Sequence, residues 1–149
     1  MKSTKIIIIF IVLIISMSGG YWIYNHNQKV GLAQYYYNIG DYQKASDLKV
    51  DKISSNALSI VNAMGWEDDI NKYLKYNDKF YLSSFQGVIE NIYNSNLLLE
   101  HGSGDKNNVE ILNKYYKQIA DYLNVPESRL DEIVEMGSDK GIVELTNLL

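Results

Sequence analysis

The chain has 149 residues, 46% of them apolar, no cysteine and a formal net charge of −4. The lack of cysteine excludes disulfides, thiolate metal sites and cysteine nucleophiles. From Asn25 onward the chain holds 12 basic and all 18 acidic residues, so it lacks the concentrated basic surface with which proteins replace phosphate counterions. We therefore expect no nucleic-acid partner. The acidity favours a neutral or basic partner, although ordinary solubility explains the same balance.

The first 24 residues have the composition of a membrane-targeting segment. Lys2 and Lys5 precede the apolar run 6–15. Cleavage before Gly19 would make this segment a signal peptide, whereas a helix over residues 6–24, about 28 Å long, would span a hydrocarbon core. The aromatic residues that follow Gly20 favour an uncleaved anchor, because Tyr and Trp concentrate at membrane interfaces.

The position of the two lysines predicts the topology. Basic residues stay on the cytoplasmic side, which places residues 25–149 on the outer side of a bacterial inner membrane, or in the periplasm if residues 1–24 are removed. The alternative is a cytosolic protein that buries the segment as a core helix. An apolar run without a polar face disfavours that alternative.

Apolar residues recur at three- and four-residue spacing after Asn25, and only one proline is present. This pattern predicts an all-α domain over residues 25–149, compact and made of about six to seven short helices. The longest helix is expected over 80–100. Another is expected over 54–64, with Ala57, Leu58, Val61 and Met64 on its inner face. Ser138 is expected to cap the last helix.

One segment resembles a known repeat. Leu32, Ala33, Tyr36, Gly40 and Ala45 stand at the spacing of a tetratricopeptide helical hairpin over residues 32–45. In such a hairpin the alanines let two helices approach, the larger side chains fill the space between them, and the glycine permits the turn.

The resemblance implies a concave surface that binds peptides or proteins and has no catalytic site. It covers a single partial unit. Lys49 and Lys52 occupy positions where the family places an aromatic and a small residue, and residues 77–80 repeat the pattern only in degenerate form. A generic helical hairpin built on the same packing is the alternative.

Few residues suggest enzyme chemistry. His26 and His101 stand 75 positions apart without a second ligand at helical spacing, so we expect no metal site and no cofactor. Carboxylates are the remaining candidates, since glycoside hydrolases use them in pairs. Glu90 lies within the apolar pattern of the longest helix, and acids cluster at 67–69 at a helix start, where the helix dipole favours them in any case.

Tyrosine is abundant, with 13 copies, and several are consecutive. Neighbouring residues of a helix diverge by about 100°, so such runs cannot all be buried. Tyrosine is enriched at interface hot spots, although codon bias accounts for the abundance equally well. The tyrosines expected to bind a partner are Tyr35, Tyr37, Tyr42, Tyr73, Tyr76 and Tyr115.

These features together predict a non-enzymatic, exported protein-binding module. Its most concrete form is an envelope immunity protein that neutralises a toxin. The first alternative is an accessory or assembly factor of an envelope or secretion machine, for which the tetratricopeptide-like hairpin argues. The second is an exported cell-wall hydrolase that uses Glu90 or the acids at 67–69.

Overall fold

A computed structural model describes residues 21–50 and 52–149, and this part of the chain is all-α, as predicted, with no strand. Its eight helices are α1 (21–38), α2 (Tyr42–Asp47), α3 (Lys52–Met64), α4 (Trp66–Tyr76), α5 (Lys79–Glu100), α6 (Lys106–Leu123), α7 (Glu127–Glu135) and α8 (Ser138–Leu148). None of these helices is long and apolar enough to cross a membrane. The described residues begin at position 21. Most of the expected membrane segment, residues 6–24, precedes that position, so this segment stays a prediction.

The chain divides into two compact units, residues 1–55 and 56–149, with the boundary inside α3. We call them unit 1 and unit 2. The predicted division after residue 24 falls within unit 1 and stays a prediction.

Unit 1 contains a helical turn between α1 and α2. Gly40 adopts a left-handed backbone with φ of 81°, which glycine reaches without a steric penalty. Asp41 then caps α2, accepting a 3.3 Å hydrogen bond from the Lys44 backbone N–H. Ala33 and Ala45 are completely buried, as expected of residues where helices approach closely. Leu32 was expected to fill the same space, but it is 46% exposed.

Unit 2 is organised around α5. This 22-residue helix packs against α4, α6, α7 and α8, because its apolar residues cover more than one of its faces. Its buried side chains are Leu82, Phe85, Gln86, Val88, Ile89 and Ile92. Trp66 of α4 and Tyr122 of α6 add an edge-on ring contact with centroids 5.3 Å apart. As predicted, the longest helix of the described chain is the one over 79–100.

Short connections fix where the helices of unit 2 end. Asn77 and Asn124 stand just after α4 and α6 in left-handed conformations, which asparagine tolerates better than most residues. Asp78 and Asp105 cap the helices that follow. Ser138 was expected to cap α8, but Gly137 holds the cap position with φ of 80° and no side-chain bond is made there.

The inner face of α3 differs from the prediction. Ala57, Ile60 and Ala63 are buried, whereas Leu58 and Met64 are 50% and 55% exposed. Apolar residues cover a wide arc of this helix, so spacing alone permitted two inner faces. Packing buried the one that carries the two alanines, whose small side chains permit close approach.

Candidate binding surfaces

A groove of about 470 Å³ opens on unit 2 between α3, α4 and α5. Gly65 joins α3 directly to α4 without a loop, so the two helices diverge from one point and leave space beside α5. The groove is lined by small or polar side chains together with two valines. Its lining residues are Ser59, Val61, Asn62, Gly65, Asp68, Asp69, Ser84, Gly87, Val88 and Asn91.

The two carboxylates of this groove differ in their partners. Asp68 pairs with Lys72 one turn along α4, with 2.6 Å between Nζ and the carboxylate, and this hydrogen bond raises the pKa of Lys72. Asp69 is half-buried and accepts a 2.7 Å hydrogen bond from the Ser84 hydroxyl. Asp69 forms no ion pair within the described chain, although the charge of Lys72 also interacts with it, so the groove holds one carboxylate that is only partly compensated.

The four acids considered for hydrolysis do not all reach this groove. Asp68 and Asp69 line it, while Glu67 is exposed and not among the lining residues. Glu90 accepts a 3.1 Å hydrogen bond from Nε2 of Gln86, a buried residue that faces Gly141 of α8. Glu90 therefore belongs to the α8 side of α5, so it and the acids of the groove do not form a pair across one cleft.

The three candidate tyrosines of unit 1 have different surroundings. Tyr35 is 58% exposed, and Tyr42 is half-buried. Tyr37 is only 6% exposed, and its ring meets that of Tyr42 edge-on at 5.4 Å. Packing beside the α1–α2 turn therefore buries Tyr37, and its role in binding a partner stays a prediction.

The other three candidates lie in unit 2. Tyr76 is 58% exposed, while Tyr73 and Tyr115 are half-buried. Since the six tyrosines divide equally between the two units, their positions do not establish one common surface.

A further group of side chains meets at the turn between α4 and α5. The Tyr76 and Tyr81 rings lie 6.4 Å apart, and the Phe80 and Tyr81 rings 5.6 Å apart. Lys72 and Lys75 place their Nζ atoms 5.6 Å and 4.9 Å from the centres of the Tyr81 and Tyr76 rings, within cation–π range. We call these five residues the lysine–aromatic cluster.

Of these five residues only Tyr76 is among the tyrosines predicted to bind a partner. The signal that could have revealed the cluster is the alternation of lysine and aromatic residues along 72–81. That alternation also fits two amphipathic helices, and only the turn at Asn77 and Asp78 brings the two halves together.

The histidines have ordinary surroundings. His26 stacks on Trp22 with ring centroids 5.4 Å apart, and His101 follows the last turn of α5. Among residues 21–50 and 52–149, no three His, Cys, Asp or Glu side chains are grouped in a way that could hold a metal ion. Comparison with known proteins finds no family model, no curated protein and no solved structure that matches the chain.

Proposed function

We propose that this protein is an exported, membrane-tethered helical module that binds another protein, with the groove of unit 2 holding a basic segment of the partner. The observation that carries the proposal is Asp69. Its carboxylate is half-buried, is oriented by Ser84 and forms no ion pair among the described residues; Lys72, whose charge also interacts with it, is paired with Asp68. A lysine or arginine of the partner would donate a charge-assisted hydrogen bond to this carboxylate.

The lining of the groove supports recognition of a peptide segment. Asn62 and Asn91 offer amide donors and acceptors, and Ser59 adds a hydroxyl. Such groups bind backbone N–H and C=O groups as readily as side chains. Val61 and Val88 give the groove an apolar part, so a basic residue with a long aliphatic stem fits both its charge and its surface.

The start of α1 supports the tether. Tyr21, Trp22 and Tyr24 are 73%, 68% and 65% exposed, although aromatic side chains are usually buried in an aqueous domain. Their position directly after the predicted membrane segment suits the interfacial belt, where amphipathic rings lie between headgroups and water.

The most concrete form of this function is an envelope immunity protein. An acidic groove would cover a basic surface of a toxin, and electrostatic complementarity would speed capture before the toxin reaches its target. A second form, an accessory or assembly factor, is favoured by the α1–α2 turn, where Ala33 and Ala45 are fully buried on either side of Gly40.

The test is affinity capture of the full chain from detergent-solubilised native envelopes, followed by mass spectrometry. Asp69→Asn removes the charge but keeps an oxygen that accepts the Ser84 hydrogen bond. Asp121→Asn removes an exposed charge of α6 outside the groove and is the matched control. We expect one stoichiometric partner with the wild type and the control, and recovery at least about tenfold lower with Asp69→Asn.

Two results would contradict the proposal. Equal recovery of the partner by both variants would show that the interface lies outside the groove. Retention of peptidoglycan instead of a protein, with cleavage that Asp69→Asn or Glu90→Gln abolishes, would establish the hydrolase. If both variants recover the partner equally, a toxin gene beside this one would still favour the immunity protein over the assembly factor.

A further inference from the structure

We propose that the lysine–aromatic cluster of unit 2 is a peripheral contact for an anionic phospholipid surface. The cluster lies at the α4–α5 turn and includes none of the residues that line the groove. This proposal therefore stands or fails separately from the proposed protein partner.

The aromatic part of the cluster is unusually open. Phe80 is 70% exposed and Tyr76 is 58% exposed, with Tyr81 bridging their rings. Leu74, in the last turns of α4, is 54% exposed. Transfer of such residues to the boundary between headgroups and acyl chains is favourable, because an apolar ring is removed from water there while a phenolic hydroxyl stays hydrated.

The charge of the cluster selects an anionic surface. Lys75 and Lys79 are exposed, and neither has an ion pair with any described carboxylate. Lys72 is paired with Asp68. The exposed carboxylate of Asp78 at the same turn accepts a hydrogen bond from the Phe80 backbone N–H, so the two remaining lysines outnumber one acid beside the exposed rings. Each basic residue held near an anionic leaflet strengthens binding about fivefold.

The size of the cluster favours a membrane over an acidic protein. A stable protein interface needs about 20–30 residues on each side, whereas the cluster together with Leu74 and Lys79 has seven. A weak contact of that size is effective when the ligand is already present at high local concentration. A membrane tether at residues 6–24, expected from the sequence, would supply that concentration for lipid but not for a free protein.

The experiment uses the full chain, whose lack of cysteine allows one labelled position at a time. Ser83→Cys, exposed one turn beyond Lys79 and Phe80, carries an environment-sensitive fluorophore. Ser138→Cys, exposed at the start of α8, is the matched control. Each protein is incorporated into phosphatidylcholine vesicles with or without phosphatidylglycerol, and a lipid-soluble quencher reports contact with the bilayer.

We expect the label at position 83 to shift to shorter wavelength and to be quenched only in the phosphatidylglycerol vesicles, while position 138 shows no lipid dependence. Salt at about 0.5 M should reverse the effect, because screening shortens the reach of surface charge to a few ångströms. Combining Lys75→Glu with Lys79→Glu should reduce the bound fraction about tenfold or more. The salt measurement uses the native lysines, so it is informative even if that variant misfolds.

The proposal is overturned if the label at position 83 behaves alike in both vesicle types or if position 138 responds equally. It is also overturned if polyglutamate shifts the label while anionic vesicles do not, a result that would assign the cluster to an acidic protein partner.

Discussion

Gly141 of α8 lies so close to Gln86 of α5 that a methyl group on its Cα would come within 2.5 Å of the amide nitrogen Nε2. The same methyl group would lie 2.9 Å from the carbonyl oxygen of Ile133. Gln86 is 2% exposed and donates a hydrogen bond to Glu90, so its side chain has little freedom to move away. The crossing of α5 and α8 therefore depends on the absence of a side chain at position 141.

We expect Gly141→Ala to lower the free energy of unfolding by about 1–3 kcal/mol, the usual cost of overpacking. Gly87→Ala is the control, because a methyl group there meets nothing within 4 Å and the helix gains propensity worth about 0.5–1 kcal/mol. Urea unfolding followed by circular dichroism measures both. A Gly141→Ala protein as stable as the wild type would show that the helices separate at no cost.

Tyr116 of α6 should make stability depend on alkaline pH. It is 3% exposed and donates a 2.7 Å hydrogen bond to Asp131 of α7, and burial followed by this bond raises its pKa above the ordinary value. The folded state thus retains the phenolic proton more strongly than the unfolded state. The resulting stabilisation is complete below about pH 10, the ordinary tyrosine value, and declines as the pH rises above it.

Tyr116→Phe should lower the free energy of unfolding by about 1–2 kcal/mol at pH 8. The difference from the wild type should shrink between about pH 10 and pH 11. Tyr122→Phe, a change at a position that is 50% exposed, serves as the control. If the difference in unfolding free energy stays constant over this pH range, the hydrogen bond stabilises the fold but the titration of Tyr116 does not affect stability.

Arg129 joins α7 to α8. Its guanidinium bonds to Glu132 at 2.5 Å on its own helix and to Glu144 on α8, and these bonds raise its pKa. We expect Arg129→Lys to lower the unfolding midpoint, because an ammonium group cannot reproduce the planar fork that serves two carboxylates. The difference should narrow at high salt, since the pairs are partly exposed. An equal midpoint at low salt would mean that these pairs contribute nothing.

Asp105 performs two tasks at the start of α6. Its carboxylate accepts a 3.1 Å hydrogen bond from the backbone N–H of Asn108 and another from the side-chain amide of Asn56 in α3. Asp105→Ala should therefore cost about 1–2 kcal/mol, the upper part of the range for a lost cap. Asp105→Asn keeps one acceptor oxygen and should cost less. The same unfolding assay applies, and equal losses in the two variants would point to the charge rather than the cap.

The order of the helices followed from the sequence because its signals are local. Gly40 and Asp41 act on backbone within a few residues of themselves, and the periodicity of α5 needs no partner helix to be recognised. The observed bounds of α5 accordingly differ from the predicted 80–100 by one residue, at the start of the helix.

Only the tertiary structure showed which face of each helix is buried and which side chains share a surface. Apolar residues cover a wide arc of α3, so only packing decides that Ile60 is buried and Leu58 is exposed. The exposure of Tyr37 could not be predicted for the same reason. The groove at Asp69 and the cluster at Tyr81 each require side chains from successive helices to meet. Residue spacing does not reveal the turn geometry that brings these side chains together. The sequence by itself determined that the described part of the chain is all-α and that residues 25–149 are acidic, because composition and local periodicity suffice for that. Only the fold decided which charges and rings lie together at its surface, because that depends on how each helix is rotated against its neighbours.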